Sequence, residues 1–164
     1  MKLHSRTVLA LLLASVACGD DNEGPLDPGN TDGTLTASVS GVTFNATAVV
    51  AAYANGSLVI TAVQSGVGGS KSITLGVYNV TGVDTYDLTD PGNSATYIET
   101  TGSTSLSWLT AITQGSGSVT LTTATATRVV GTFTFLAPAN DISGATGTKT
   151  VLSGQFDVTP SNPQ

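Results

Sequence analysis

From Thr34 onward the densest carboxylates are Asp84, Asp87, Asp90 and Glu99. Retaining and inverting glycosidases set two carboxyl groups about 5 to 10 Å apart across a sugar. If residues 84–89 and 94–99 are adjacent strands, Asp87 and Glu99 meet that distance, as would facing surface acids on any hairpin. The same side chains could hold calcium, or serve only as solvated turn residues. Asp90 opens the turn Asp90-Pro91-Gly92-Asn93, where its carboxylate can bond a backbone N–H two residues on. Tyr86, Tyr97 and Trp108 could stack a sugar, since each ring offers an apolar face. Tyr86 falls in phase with Leu88, and Trp108 with Leu106, which favours core or strand-pair packing over a binding platform. The candidate ligand-binding residues are therefore Tyr86, Tyr97, Trp108, Asp84, Asp87 and Glu99, with no catalytic residue, metal or cofactor assigned.

The inventory excludes much other chemistry. The chain has 164 residues, one His and one Cys, and His4 and Cys18 both lie near its start. His-dependent triads, cysteine nucleophiles and thiolate zinc sites are out of reach of the body. The formal charge is -6. Beyond the leader the only bases are Lys71, Arg128 and Lys149, which argues against nucleic acid as a partner. An anion site needs converging donors. These three are far apart in sequence and read as edge or surface charges. Gly66, Gly68 and Gly69 echo a phosphate loop, but Lys71-Ser72 opens a strand rather than a helix.

The elements that position these residues read as strands. Val42, Phe44, Ala46, Ala48 and Val50 alternate with Thr43, Asn45 and Thr47. Leu58, Ile60 and Ala62 repeat the pattern, as do Ile73, Leu75 and Val77, and Val119 with Leu121. Val129, Phe133 and Phe135 share a face with Gly131, and Leu152, Phe156 and Val158 line another. Asn55-Gly56 tolerates the positive φ of a tight hairpin. The strands expected are 34–40, 42–54, 57–64, 71–79, 84–89, 94–99, 104–111, 117–125 with 128–136, and 149–159. The fold class is all-β, an antiparallel β-sandwich of about nine to ten strands, with a small closed β-barrel as the alternative.

The start of the chain has a different character. Lys2, His4 and Arg6 precede the apolar run Val8 to Ala14, too short to span a bilayer. Ser15-Val16-Ala17 then leads into Cys18. Small residues before a lone cysteine resemble the lipobox of bacterial lipoproteins, with Ser15 where the box usually carries Leu. That resemblance implies a signal peptide over 1–17, cleavage before Cys18, and acyl chains such as palmitate on Cys18. Several chains at one cysteine give stable anchoring. Gly19 rather than Asp after the cysteine favours the outer membrane by the same resemblance. Residues 18–33 carry five acids and no base, with Pro25, Pro28, Gly24 and Gly29, and read as an acidic disordered tether. Residues 34–164 form a single all-β domain.

The motifs Gly41-Val42-Thr43-Phe44-Asn45-Ala46, Asn55-Gly56-Ser57-Leu58, Ser72-Ile73-Thr74-Leu75, Asp84-Thr85-Tyr86-Asp87-Leu88, Val130-Gly131-Thr132-Phe133 and Gly154-Gln155-Phe156-Asp157-Val158 follow in order. Taken together, they resemble a family of small Thr/Gly/Ser-rich bacterial lipoprotein domains without an assigned activity. The resemblance runs from about residue 34 to 159. It implies an envelope-facing all-β domain behind a lipid anchor, and supplies no site residues. The function expected is a non-enzymatic, lipid-anchored cell-envelope protein acting as an accessory, adhesive or structural module. Its partners would be the membrane, through acyl chains on Cys18, and an envelope protein or polysaccharide. Competing readings are a carbohydrate- or calcium-assisted binding module and a carboxylate-based hydrolase.

Overall fold

Threonine and valine recur throughout the body, and their branched Cβ atoms stiffen χ1 and favour extended backbone. The computed structural model describes residues 33–161. Within them lie eleven strands: β1 (Gly33–Val39), β2 (Val42–Asn45), β3 (Ala48–Ala54), β4 (Ser57–Gly66), β5 (Gly69–Val77), β6 (Thr85–Asp87), β7 (Ser94–Thr101), β8 (Thr104–Leu109), β9 (Ser116–Ala124), β10 (Val129–Pro138) and β11 (Thr148–Val158). A single 3-10 turn, Asp141–Ser143, separates β10 from β11. One sheet has six strands in the order β2-β1-β11-β10-β9-β6; the other has five in the order β3-β4-β5-β7-β8. All pairs are antiparallel. Neither sheet closes on itself, so the fold is a β-sandwich and not a barrel.

The inner faces supply one continuous core. Leu35, Phe44, Val119, Leu121 and Phe133 come from one sheet, and Val49, Ile60, Ile73, Leu75 and Tyr97 from the other. Phe133 stacks on Phe135 and on Phe156, each at 6.2 Å between centroids. Phe133 faces Gly154 across β10 and β11, and Phe156 faces Gly131. A Cβ at Gly154 would lie 2.6 Å from the Phe133 ring, and one at Gly131 would lie 2.7 Å from the Phe156 ring. Glycine is required here for the ring that lies over it.

Several expectations are corrected. Residues 42–54 are two strands in different sheets, not one. At the crossing the Ala46 N–H donates to the Leu35 carbonyl at 3.0 Å and the Thr47 N–H to the Val63 carbonyl at 2.7 Å. The inward parity shifts by one residue there. Val49 and Ala51 are buried, while Val50, expected to share the Phe44 face, is 49% exposed. In β11, Ser153 adopts φ 52°, and the pairing with β10 skips a residue between Phe133 and Phe135. This bulge reverses the alternation. Val151 points inward, and Leu152, expected in the core, is 52% exposed.

The third correction concerns residues 84–99. β6 pairs with β9, whereas β7 lies between β5 and β8. The turn at 90–93 carries the chain from one sheet to the other instead of closing a hairpin. Buried Asn93 secures it: Oδ1 accepts the Tyr78 N–H at 2.7 Å, and Nδ2 donates to the Asp87 carbonyl at 2.7 Å. The side-chain turn expected of Asp90 belongs to Asp87, whose Oδ1 accepts the Thr89 N–H at 2.7 Å and the Thr89 hydroxyl at 2.6 Å. Gly33, assigned to the tether by sequence, is the first residue of β1.

Candidate functional site

Period-two alternation places alternate residues of a strand on one face. Ala62, Ile73, Tyr97 and Trp108 pair in succession across β4, β5, β7 and β8 and form a rung of the inner face. Two residues further along each strand, Gln64, Lys71, Glu99 and Leu106 pair in the same way. The inner face thus changes from apolar to polar within a single step. That step marks the mouth of the sandwich.

Lys149 enters this mouth from β11, in the opposite sheet. Its Nζ donates to Glu99 Oε1 at 2.9 Å and lies 4.4 Å from the Trp108 ring centroid and 5.5 Å from that of Tyr97. The Tyr97 hydroxyl donates to the same Oε1 at 2.8 Å. The two rings are 5.9 Å apart, and Trp108 Nε1 donates to the Thr146 carbonyl at 3.1 Å. An ammonium, a phenol and a carboxylate therefore join the two sheets over an aromatic pair. The Lys149 and Glu99 side chains are 21% and 32% exposed, so the pair is only partly screened by water.

The charges respond accordingly. Burial by itself would raise the Glu99 pKa. The hydrogen bonds from Lys149 and Tyr97 oppose it, and the charges of Lys149 and Lys71 add to them, so the carboxyl titrates below its ordinary value. Burial, then the hydrogen bond to Glu99 and the Glu99 charge, push the Tyr97 phenol far above its usual range. Tyr97 stays a donor and Glu99 stays ionised at neutral pH. Beyond the tie a groove of about 810 Å³ opens, lined by residues 42–43, 64–71 and 99–101.

The residues singled out by sequence do not gather in one place. Tyr97 and Trp108 are adjacent but 1% and 4% exposed, so neither presents a face to a sugar. Tyr86 lies in the other sheet and pins a loop. Its hydroxyl donates to the Gly82 carbonyl at 2.8 Å and accepts the Thr81 and Gly82 N–H groups at 3.1 and 3.3 Å. Asp84 accepts the Thr85 N–H at 2.7 Å. The Thr89 hydroxyl, then the Thr89 backbone N–H, hold the Asp87 carboxyl below its ordinary value. The expected adjacency of Asp87 and Glu99 fails because their strands belong to different sheets. Among the described residues no three His, Cys, Asp or Glu side chains group closely enough to hold a metal ion. Cys18, the leader 1–17 and tether residues 18–32 lie outside the described residues.

Lys71 and Lys149 are the participants that sequence reading set aside as scattered surface charges. Strand pairing places Lys71 beside Glu99, and Lys149 reaches Glu99 from the opposite sheet. Arg128 alone stays outside, holding Asp157 through two hydrogen bonds of 2.9 and 2.7 Å. A signal was present: Lys71 shares parity with Ile73, Glu99 with Tyr97, and Lys149 with Val151. A charged residue in phase with core positions lies at the rim of the inner face.

Residues 31–160 match the family model described as a domain of unknown function (DUF6252). No curated protein and no solved structure matches the chain. Among the described residues no helix is long and apolar enough to cross a membrane.

Proposed function

The chain belongs to the DUF6252 family, and we propose that it serves as a lipid-anchored module of the bacterial cell envelope that works by binding rather than by catalysis. The observation that carries this reading is the state of Glu99. It is the carboxylate at the mouth, and its Oε1 is occupied by both Lys149 and Tyr97. A carboxyl held ionised by two donors is a poor general acid. Among the described residues no second carboxylate shares the groove lining with it, so the glycosidase pairing finds no partner among them. The arrangement suits a rigid rim that presents polar groups to a partner. In this reading acyl chains on Cys18 attach the chain to the outer membrane, and the acidic tether lets the domain reach outward.

The test is crosslinking of the membrane-attached protein in its own envelope, followed by mass spectrometry of attached proteins and glycans, with Cys18→Ala as the unanchored control. The expected result is an acylated Cys18 and a specific envelope protein or polymer crosslinked beside residues 64–71 or 99–101. Release of sugar or peptide fragments by the wild type but not by Glu99→Gln would overturn the non-catalytic reading. Recovery of lipid and the chain alone would overturn the partner.

A further inference from the structure

Two of the three bases that follow the leader converge on a single carboxylate. The chain as a whole carries a charge of -6, yet its mouth holds Lys71 and Lys149 against Glu99. Lys149 is engaged by Glu99 and by the two rings. Lys71 pairs with Glu99 in register, but among the described residues no carboxylate lies within 4 Å of its ammonium. The cation available at the groove is therefore Lys71. Repulsion from the rest of the acidic surface is screened over about 8 Å at physiological salt, so the local charge decides what binds.

The surroundings of Lys71 narrow the ligand. Gln64, in the same rung as Lys71, offers an amide that both donates and accepts, and both line the groove. Both hydrogen bonds to Glu99 end on Oε1; among the described residues Oε2 receives none and can accept one from a ligand. One cation, one anionic acceptor and one neutral amide suit a ligand with one carboxylate and several hydroxyls. A volume of about 810 Å³ is of the size that small-molecule sites occupy, roughly 300–1,000 Å³, and exceeds what a bare inorganic anion needs.

We propose that the mouth binds an acidic sugar unit of an envelope polysaccharide, with its carboxylate on Lys71 and its hydroxyls on Gln64 and Glu99 Oε2. This rests on the binding reading of the same mouth. Lys71 is a binding residue here, and Glu99 has two duties: Oε1 ties the sheets and Oε2 meets the ligand.

The experiment is calorimetric titration of the full chain with trimers of galacturonate, glucuronate and mannuronate, with their methyl esters, and with inorganic phosphate. One acid trimer is expected to bind. Lys71→Gln should weaken it about tenfold or more, the effect of losing a charge-assisted hydrogen bond. Lys71→Arg should stay within about threefold, because the charge is kept. Both variants should melt like the wild type. No binding by any trimer, or unchanged binding to Lys71→Gln, would overturn the proposal. A methyl ester bound as tightly as its acid would remove the acidic class and leave the binding reading standing. Phosphate bound as tightly as the trimer would remove the sugar. Cleavage of the trimer would instead remove the non-catalytic reading.

Discussion

Replacing Lys149 by methionine should destabilise the sandwich in a way that depends on pH. The cost has two parts. The ion pair with Glu99 is partly shielded, at 21% and 32% side-chain exposure. Its loss falls between that of an exposed pair, roughly 0.2–1 kcal/mol, and that of a buried pair stripped of one partner, roughly 3–5 kcal/mol. About 1.5–2 kcal/mol is a fair middle value. The ammonium over Trp108 adds about 0.5–1 kcal/mol. Methionine retains most of the apolar stem, so little packing is lost. Lys149→Met should therefore lose about 2–3 kcal/mol in urea unfolding at pH 7. At about 4 °C per kcal/mol for a domain of this size, the melting temperature should drop by about 8–12 °C.

The sign of the pH effect follows from Glu99. Its folded pKa is lowered, so the folded state binds fewer protons than the unfolded one. Its stabilisation is complete above the unfolded value, about 4.3, and is lost as pH falls through the folded value. The gap between wild type and variant should be widest at neutral pH and should narrow below about pH 4. In combination with Glu99→Gln, the two losses should fall short of their sum by about 1–2 kcal/mol. A cost under about 0.5 kcal/mol at pH 7, or a gap constant from pH 7 to 3, would refute the tie.

Gly154→Ala should cost about 2–3 kcal/mol, because its Cβ would meet the Phe133 ring and carbonyl at 2.6 Å and overpacked cores yield only by shifting backbone; chemical denaturation with an unchanged slope checks it. Asn93→Ala leaves the partly buried Tyr78 N–H without its acceptor, while the Asp87 carbonyl keeps the Asp90 N–H, and should cost about 1–2 kcal/mol, with hydrogen exchange at Tyr78 accelerating more than exchange in β10. Val49→Thr and Val151→Thr should each cost about 1.5–3 kcal/mol through an unpaired buried hydroxyl. By contrast, Val50→Thr and Leu152→Thr should stay within about 0.5 kcal/mol, a comparison that thermal melts read directly.

Legibility from sequence followed the alternation. Where β-branched and hydroxyl residues strictly alternate, as in β4, β5, β9 and β10, the inward residues were identified correctly. Failure came where local register yields to tertiary structure. Ala48 to Ala54 is apolar on both faces, so nothing in it marks the slip of phase between Phe44 and Val49. Ser153 gives no local sign that it will take a left-handed backbone, and the bulge there exchanges Val151 for Leu152. A turn signal such as Asp90-Pro91-Gly92-Asn93 shows that the chain bends, but not whether the next strand joins the same sheet. The buried Asn93 settles that through contacts with Tyr78 and Asp87. The mouth was half legible: Lys71, Glu99 and Lys149 each stand in phase with core residues, yet their meeting depends on which strands face one another. The alternation of Trp108 with Leu106 already favoured the core, and Tyr97 and Trp108 are buried there; what it did not show is that they form a floor beneath Lys149.

The run of β1 has a mechanical consequence. Gly33 lies at one end of this strand beside Val158, and Val39 lies at the other beside Val42, on the groove rim. A pull applied between the chain's entry at Gly33 and a ligand held in the groove is directed along β1. The ladders that join β1 to β11 and to β2 then carry the load in shear, many hydrogen bonds at once. The same force applied between Gly33 and Val158 would open the β1 and β11 ladder one rung at a time. The described domain thus resists tension along β1 and peels under tension across it. A tethered module that grips a polymer would meet the first kind of load.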